Sequence, residues 1–105
     1  MVREVRLFAA SELPEDEVRQ VAFDDRPPIA VYNLDGELFA TDDTCTHGQA
    51  SLSEGEIEDG NIFCPFHDGS FDIRTGEATG APCSEPVRTY RLRVDGDSVF
   101  LLLDE

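Results

Sequence analysis

The sequence is poor in cysteine and in basic side chains, and it has no long apolar run. Its three cysteines, Cys45, Cys64 and Cys83, are an odd number, which argues against a disulfide framework and for a reducing compartment. The longest uninterrupted apolar run, residues 99–103, is far too short to cross a membrane. Charges interrupt every apolar run near the first residue, so we expect neither a signal peptide nor an anchor. These shortages predict a cytoplasmic protein without a membrane partner.

Basic side chains are outnumbered by acidic ones, 8 against 23, which gives a formal net charge of −15. Such a charge disfavours nucleic acid as a partner, because its phosphates would be repelled. The charge explains solubility, and it also suits a carrier that is steered onto basic faces of other proteins. Composition does not separate these two explanations. The densest acidic stretch contains Glu54, Glu56, Glu58 and Asp59, and we interpret it as a solvated loop rather than a docking strip.

The length of 105 residues is that of one domain, which we place at residues 1–105. Alternation of apolar and polar residues over residues 2–8, and again over residues 18–23, predicts half-buried strands. Residues 11–17 contain a proline and four acidic residues, and they are interpreted as a loop or a single short turn. The overall pattern predicts an all-β protein.

Two Asp-Gly pairs predict tight hairpins, because this dipeptide favours the turns that suit the twist of paired strands. Asp35-Gly36 joins apolar segments at residues 29–34 and 37–40, and Asp95-Gly96 joins those at residues 91–94 and 98–103. Between the two hairpins, residues 42–86 are rich in Gly, Pro, Ser and Thr. All the cysteines and both histidines fall in this segment. Functional residues often lie on loops held by a rigid sheet, so we place the site here.

Each of the two histidines follows a cysteine at short range. Cys45-Thr46-His47 is separated by sixteen residues from Cys64-Pro65-Phe66-His67. Two thiolates and two imidazoles can satisfy a metal centre with four protein ligands. A structural zinc site is one alternative, although such sites usually pair like ligands, cysteines at one end and histidines at the other. In a Rieske-type [2Fe–2S] cluster two cysteines bind one iron and two histidines the other, so mixed pairs fit that centre better.

At these residues the sequence resembles the Rieske family, and it is similar to the small ferredoxins of bacterial aromatic-ring dioxygenases. The similarity extends to Gly48, Gly69, Phe71-Asp72, Thr75-Gly76, Ala81-Pro82 and the closing hairpin. The resemblance implies a Rieske-type antiparallel β-sandwich with a small two-loop cluster-binding subdomain at one tip, about residues 42–86. It also implies one [2Fe–2S] cluster held by Cys45, His47, Cys64 and His67. A third, proline-bearing loop would cover the cluster, and Gly80-Ala81-Pro82 is the candidate.

Two departures from the wider family are informative. Rieske proteins of quinol-oxidising complexes join the two ligand loops by a disulfide, whose positions correspond here to Ala50 and Phe66. They also place hydroxyls at positions that correspond to Gly69 and Phe71, whereas Ser70 lies at an offset that should direct its side chain elsewhere. Hydrogen bonds to sulfur stabilise the reduced cluster. We therefore expect a reduction potential near the bottom of the Rieske range, roughly −150 mV rather than +300 mV.

The resemblance implies a monomeric one-electron carrier rather than an enzyme. Its partners would be a flavin-containing NAD(P)H-dependent ferredoxin reductase and the terminal Rieske oxygenase of an aromatic-ring dioxygenase system. His47 and His67 would form the exit for electrons, at a contact shaped by Phe66, Gly48, Gln49 and Pro82. Cys83 is interpreted as a packing residue near the covering loop. Two alternatives stay open: a Rieske-like small subunit of another reductase, such as nitrite reductase, and a zinc-stabilised binding module without a redox role.

Overall fold

The computed structural model describes residues 1–46, 50–65, 69–81 and 83–104. These residues form antiparallel strands and two short 3-10 turns, Ala10–Glu12 and Leu52–Glu54, and they include no α-helix. The predicted all-β antiparallel class is confirmed. None of the described segments is a helix long and apolar enough to span a bilayer.

The strands are divided between two sheets. The larger sheet is formed by β1 (Val2–Ala9), β2 (Val18–Val21), β3 (Ile29–Leu34), β4 (Glu37–Asp42), β9 (Thr89–Asp95) and β10 (Ser98–Asp104). Its strand order is β1-β10-β9-β4-β3-β2. The smaller sheet is formed in chain order by β5 (Glu56–Glu58), β6 (Asn61–Phe63), β7 (Ser70–Asp72) and β8 (Ala78–Gly80). The predicted strand at residues 18–23 therefore ends two residues early, at Val21.

The two predicted hairpins exist, but one turn is shifted. Asp35 and Gly36 both have positive φ, 53° and 93°, as a tight primed turn requires. In the second hairpin Asp95 pairs with Ser98, so the turn residues are Gly96 and Asp97 and the predicted Asp95-Gly96 turn is wrong by one position. The carboxylate and carbonyl of Asp97 are both engaged by residues after β1, which holds the turn in this register.

A third Asp-Gly turn was not predicted. Asp59 and Gly60 have φ values of 52° and 78°, and they connect β5 to β6 with Glu58 opposite Asn61. The acidic stretch that we interpreted as a loop is therefore a 3-10 turn followed by a strand. Its four acidic side chains are exposed, as expected. The Asp-Gly dipeptide that predicted the other hairpins is present here too. Strand β5 was missed because it has only three residues, of which one, Ile57, is apolar.

Strand β3 separates two hydrophobic cores, and all six of its residues are buried. Ile29 and Val31 face the core inside the larger sheet, where they join Val99 and Leu101. The alternate residues of β3 face a second core, which lies against the smaller sheet and contains Leu52, Ile62, Phe71 and all three cysteines. Because successive side chains of a strand point to opposite faces, one strand supports both cores. The cysteines thus lie in the core that one face of β3 lines.

Candidate metal centre

The first cysteine lies just beyond β4, in a loop closed by main-chain contacts. The amide of Cys45 donates to the carbonyl of Ala50 at 2.9 Å, and Thr44 forms an isolated β-bridge with Ser51. The Cys45 side chain is 3% exposed. Thr44 and Cys45 are therefore paired with Ala50 and Ser51, which fixes the place of the thiol.

Asp43 anchors the base of this loop, and sequence reasoning missed it. Its buried carboxylate accepts hydrogen bonds from Gln20 Nε2 at 2.7 Å and from the amide of Ser53 at 2.8 Å. Its carbonyl accepts from the amide of Leu52 at 2.7 Å. A buried carboxylate with these partners ties the chain before Cys45 to the 3-10 turn after it. Nothing in the sequence distinguishes Asp43 from the many exposed acidic residues.

The second cysteine begins the loop between β6 and β7. The amide of Cys64 donates to the carbonyl of Gly69 at 2.7 Å, next to the paired residues Phe63 and Ser70. Cys64 is fully buried, while the following Pro65 is exposed. The two cysteines therefore occupy equivalent places: each is the buried first residue of a loop that closes on a main-chain hydrogen bond.

Several predicted site residues lie outside the described residues. They are His47, His67, Gly48, Gln49, Phe66 and Pro82. The four-ligand set therefore stays a prediction, with Cys45 and Cys64 placed by the structure. Within the described ranges, no three side chains of His, Cys, Asp or Glu are grouped so that they could hold a metal ion.

The third cysteine lies beside the first. Cys83 Sγ is 3.8 Å from Cys45 Sγ, and both side chains belong to the same core. The pKa of the Cys83 thiol is raised, and burial is the largest cause. The hydrogen bond with Cys45, the charge of Cys45 and the charge of Cys64 raise it further. None of the three cysteines is in a disulfide. Cys83 is buried in this core, as the packing interpretation expects, and the sulfur–sulfur contact is an addition that spacing alone did not indicate.

The two residues after Gly69 are both buried. The buried Ser70 hydroxyl is 2.9 Å from Thr79 Oγ1 of the neighbouring strand β8. Phe71 is fully buried in the core that contains the cysteines. The Ser70 hydroxyl is thus engaged with the neighbouring strand, and the absence of hydroxyl donors to the cluster stays a prediction.

Comparison with known proteins supports a family assignment. The family described as Rieske [2Fe-2S] domain matches residues 3–91. The anthranilate 1,2-dioxygenase ferredoxin subunit of Burkholderia cepacia is 52% identical over 92 residues, which are 86% of this chain and 83% of that protein. These matches span both cysteine loops.

Two solved structures have the same fold. The structure named Sphingomonas yanoikuyae B1 ferredoxin aligns with a TM-score of 0.92 and 40% identity, covering 97% of this chain and 100% of that one. A ferredoxin solved as a "complex of reduced oxygenase and oxidized ferredoxin in carbazole 1,9a-dioxygenase" aligns with a TM-score of 0.90 and 38% identity, covering 93% of this chain and 91% of that one.

Proposed function

This chain belongs to the family of Rieske [2Fe–2S] domains, and on that premise we propose that Cys45, His47, Cys64 and His67 hold its cluster. The observation that carries this ligand set is the pair of buried thiols, each at the start of a closed loop. In the sequence a histidine follows each thiol within three residues. Each loop would then supply one ligand to each iron, as Rieske ligation requires.

The described residues fit such a group. Both thiols lie outside any disulfide and can serve as thiolates. Leu52, Ile62 and Phe71 are fully buried in the same core and keep water from the sulfur atoms. When bound, the cluster accepts and releases one electron. The chain's own part is to hold the sulfur ligands in a dry core and to fix the loops that carry them.

The protein is a ferredoxin-type electron carrier and not an enzyme. We infer that it receives an electron from a flavin-containing NAD(P)H-dependent reductase and delivers it to the terminal Rieske oxygenase of an aromatic-ring dioxygenase. The carbazole dioxygenase complex, in which a similar ferredoxin meets its oxygenase, supports the second partner. The high identity to a dioxygenase ferredoxin favours this role over a nitrite reductase subunit, and the family assignment counts against a zinc module.

The distribution of charge supports brief docking near the cysteine loops. Residues 42–86 contain ten acidic side chains and a single basic one, Arg74. The exposed members of this set, among them Glu54, Glu56 and Glu58, would attract a basic face at long range without the large buried area that would make release slow. We propose that the chain forms one domain, residues 1–105, and that residues 42–86 are its cluster-binding subdomain. We also propose that the protein works as a monomer.

We also propose that the protein works in the cytoplasm. Three buried thiols in one core, none of them oxidised to a disulfide, suit a reducing compartment.

The ligand proposal is tested by metal analysis and spectroscopy on anaerobically purified protein. We expect two irons and two acid-labile sulfides per chain, the content of one [2Fe–2S] cluster, and a Rieske-type EPR signal only after reduction by dithionite. Alanine at Cys45 or Cys64 should abolish the signal, whereas Cys83→Ala, the matched control, should keep it. Colourless protein with one zinc, produced with adequate iron, would contradict the proposal.

A further inference from the structure

The third cysteine, Cys83, lies between Cys45 of the first ligand loop and Gly69 of the second. On one side its sulfur is 3.8 Å from Cys45 Sγ of the first loop. On the other side it adjoins Gly69, the residue that closes the second loop. A Cβ at position 69 would overlap Cys83 Sγ and would lie 3.1 Å from the Cys83 amide nitrogen. Gly69 therefore leaves the space that the Cys83 sulfur fills.

Main-chain hydrogen bonds fix the position of residues 83–87 between these loops. The amide of Cys83 donates to the carbonyl of Gly80 at 3.1 Å, and four residues later Val87 donates to Gly76 at 2.8 Å. The Cys83 side chain is 6% exposed. A buried side chain between two fixed loops has little freedom to turn away from Cys45.

The chemistry of Cys83 Sγ and Cys45 Sγ indicates which of them donates the hydrogen bond between them. A thiolate that ligates iron has no proton and can only accept, whereas a thiol is a weak donor. Cys83 is outside the proposed ligand set, so the S–H donor of this pair is assigned to Cys83 and the acceptor to Cys45. Among the described residues, Cys45 Sγ lies within hydrogen-bonding distance of that S–H group.

We propose that Cys83 is a tuning residue for the cluster, in which its thiol donates a hydrogen bond to the ligand sulfur of Cys45 and favours the reduced state. This inference depends on the ligation proposed above. Cys83 is not a ligand, and it acts through Cys45. Hydrogen bonds to ligand sulfur are among the interactions that set the potentials of iron–sulfur centres.

The test is the midpoint potential of loaded protein, measured by spectroelectrochemistry. We expect Cys83→Ala to lower the equilibrium constant for reduction by about three- to fivefold, a shift of about −30 to −40 mV at about 59 mV per tenfold change for one electron. Cys83→Ser keeps a donor and should have a higher potential than Cys83→Ala. Val87→Ala is the matched control: it removes a buried side chain from the same core and should leave the potential unchanged.

The outcomes separate this inference from the ligand proposal. Wild-type protein that binds no Rieske cluster would overturn the ligation. A normal Rieske signal, with equal potentials in wild type, Cys83→Ala and Cys83→Ser, would overturn the tuning role alone. An equal shift in Val87→Ala would overturn it too, because packing would then explain the change. If Cys83→Ala loads poorly, Cys83→Val, which fills the space without a donor, is measured instead: a potential and an Fe–S(Cys) Raman band identical to wild type would overturn the proposal.

Discussion

Asp97 shows how one exposed side chain can determine the register of a turn. Its carboxylate accepts hydrogen bonds from the hydroxyl of Ser11 at 2.7 Å and from the amide of Ser11 at 2.9 Å. Its carbonyl accepts from the amide of Ala10 at 2.6 Å. These bonds join the β9–β10 turn to the segment after β1. The hydrogen bond from the Ser11 hydroxyl is the largest cause that lowers the pKa of Asp97, and the bond from the Ser11 amide is the second.

Ser11→Ala is expected to raise the pKa of Asp97 part of the way to its ordinary value, because one donor is lost while the amide remains. The folded pKa lies below the unfolded value of about 3.9, so the contribution of Asp97 to stability is complete above that pH and is lost as the pH falls through the folded pKa. An NMR titration of the Asp97 carboxyl measures the shift. Ser11→Thr keeps the hydroxyl and should keep the low pKa; an unchanged pKa in Ser11→Ala would contradict the assignment.

At the scale of the elements, the turn between β7 and β8 of the smaller sheet is packed against another part of the chain, whereas the β3–β4 turn of the larger sheet is open. Gly76, between β7 and β8, has a φ of 81°, and a Cβ there would overlap the carbonyl oxygen of Val87. Gly36, between β3 and β4, has a φ of 93° and no atom within 4 Å of a Cβ. At both positions the positive φ favours glycine, but only at Gly76 is there also no space for a side chain.

This pair predicts unequal effects of the same substitution. Gly36→Ala should lower the free energy of unfolding by about 1–2 kcal/mol, the cost of a left-handed residue with a side chain. Gly76→Ala adds overlap with Val87 and should cost a further ~1–3 kcal/mol. Urea denaturation of the loaded protein, followed by circular dichroism, measures the difference. Equal losses for the two variants would show that the main chain at Val87 moves aside freely.

At the scale of the whole molecule, the acidic charge is concentrated where the cysteine loops lie. Seven of the eight arginines are outside residues 42–86, and four of those seven stack over aromatic rings: Arg19, Arg26, Arg88 and Arg93. Arg93 also pairs with Glu4 at 2.6 Å. The exposed Glu56 and Glu58 have no comparable basic neighbour within their own strand. The molecule is therefore more acidic around its proposed site than elsewhere.

The charge distribution predicts that electron transfer to a partner with a basic docking face slows as salt is added, because screening weakens the long-range attraction. Stopped-flow rates measured against ionic strength test this. Glu56→Gln/Glu58→Gln should reduce the second-order rate constant at low salt and flatten its salt dependence. Asp24→Asn/Asp25→Asn makes the same change of charge outside residues 42–86 and should have a smaller effect. Equal effects of the two pairs would indicate that only net charge matters.

The sequence by itself determined the features that depend on neighbouring residues. Period-two alternation predicted β1 and β2, and the Asp-Gly pairs predicted the two hairpins of the larger sheet, because both signals act within a few residues. The spacing of Cys45-x-His47 and Cys64-x-x-His67 indicated the kind of centre for the same reason: each ligand pair lies within one short loop. The family assignment then agreed with that local pattern.

Only the tertiary structure decided which distant residues meet. The contact of Cys83 with Cys45 joins residues 38 positions apart, and the bond from Gln20 to Asp43 joins residues 23 apart. The turn at Gly96-Asp97 was set by Ser11, 86 residues earlier, and not by the dipeptide. Side chains this far apart leave no periodic signal, because their approach depends on how the sheets pack. The surroundings of the first ligand loop were therefore settled by packing, although its cysteine and histidine could be found in the sequence.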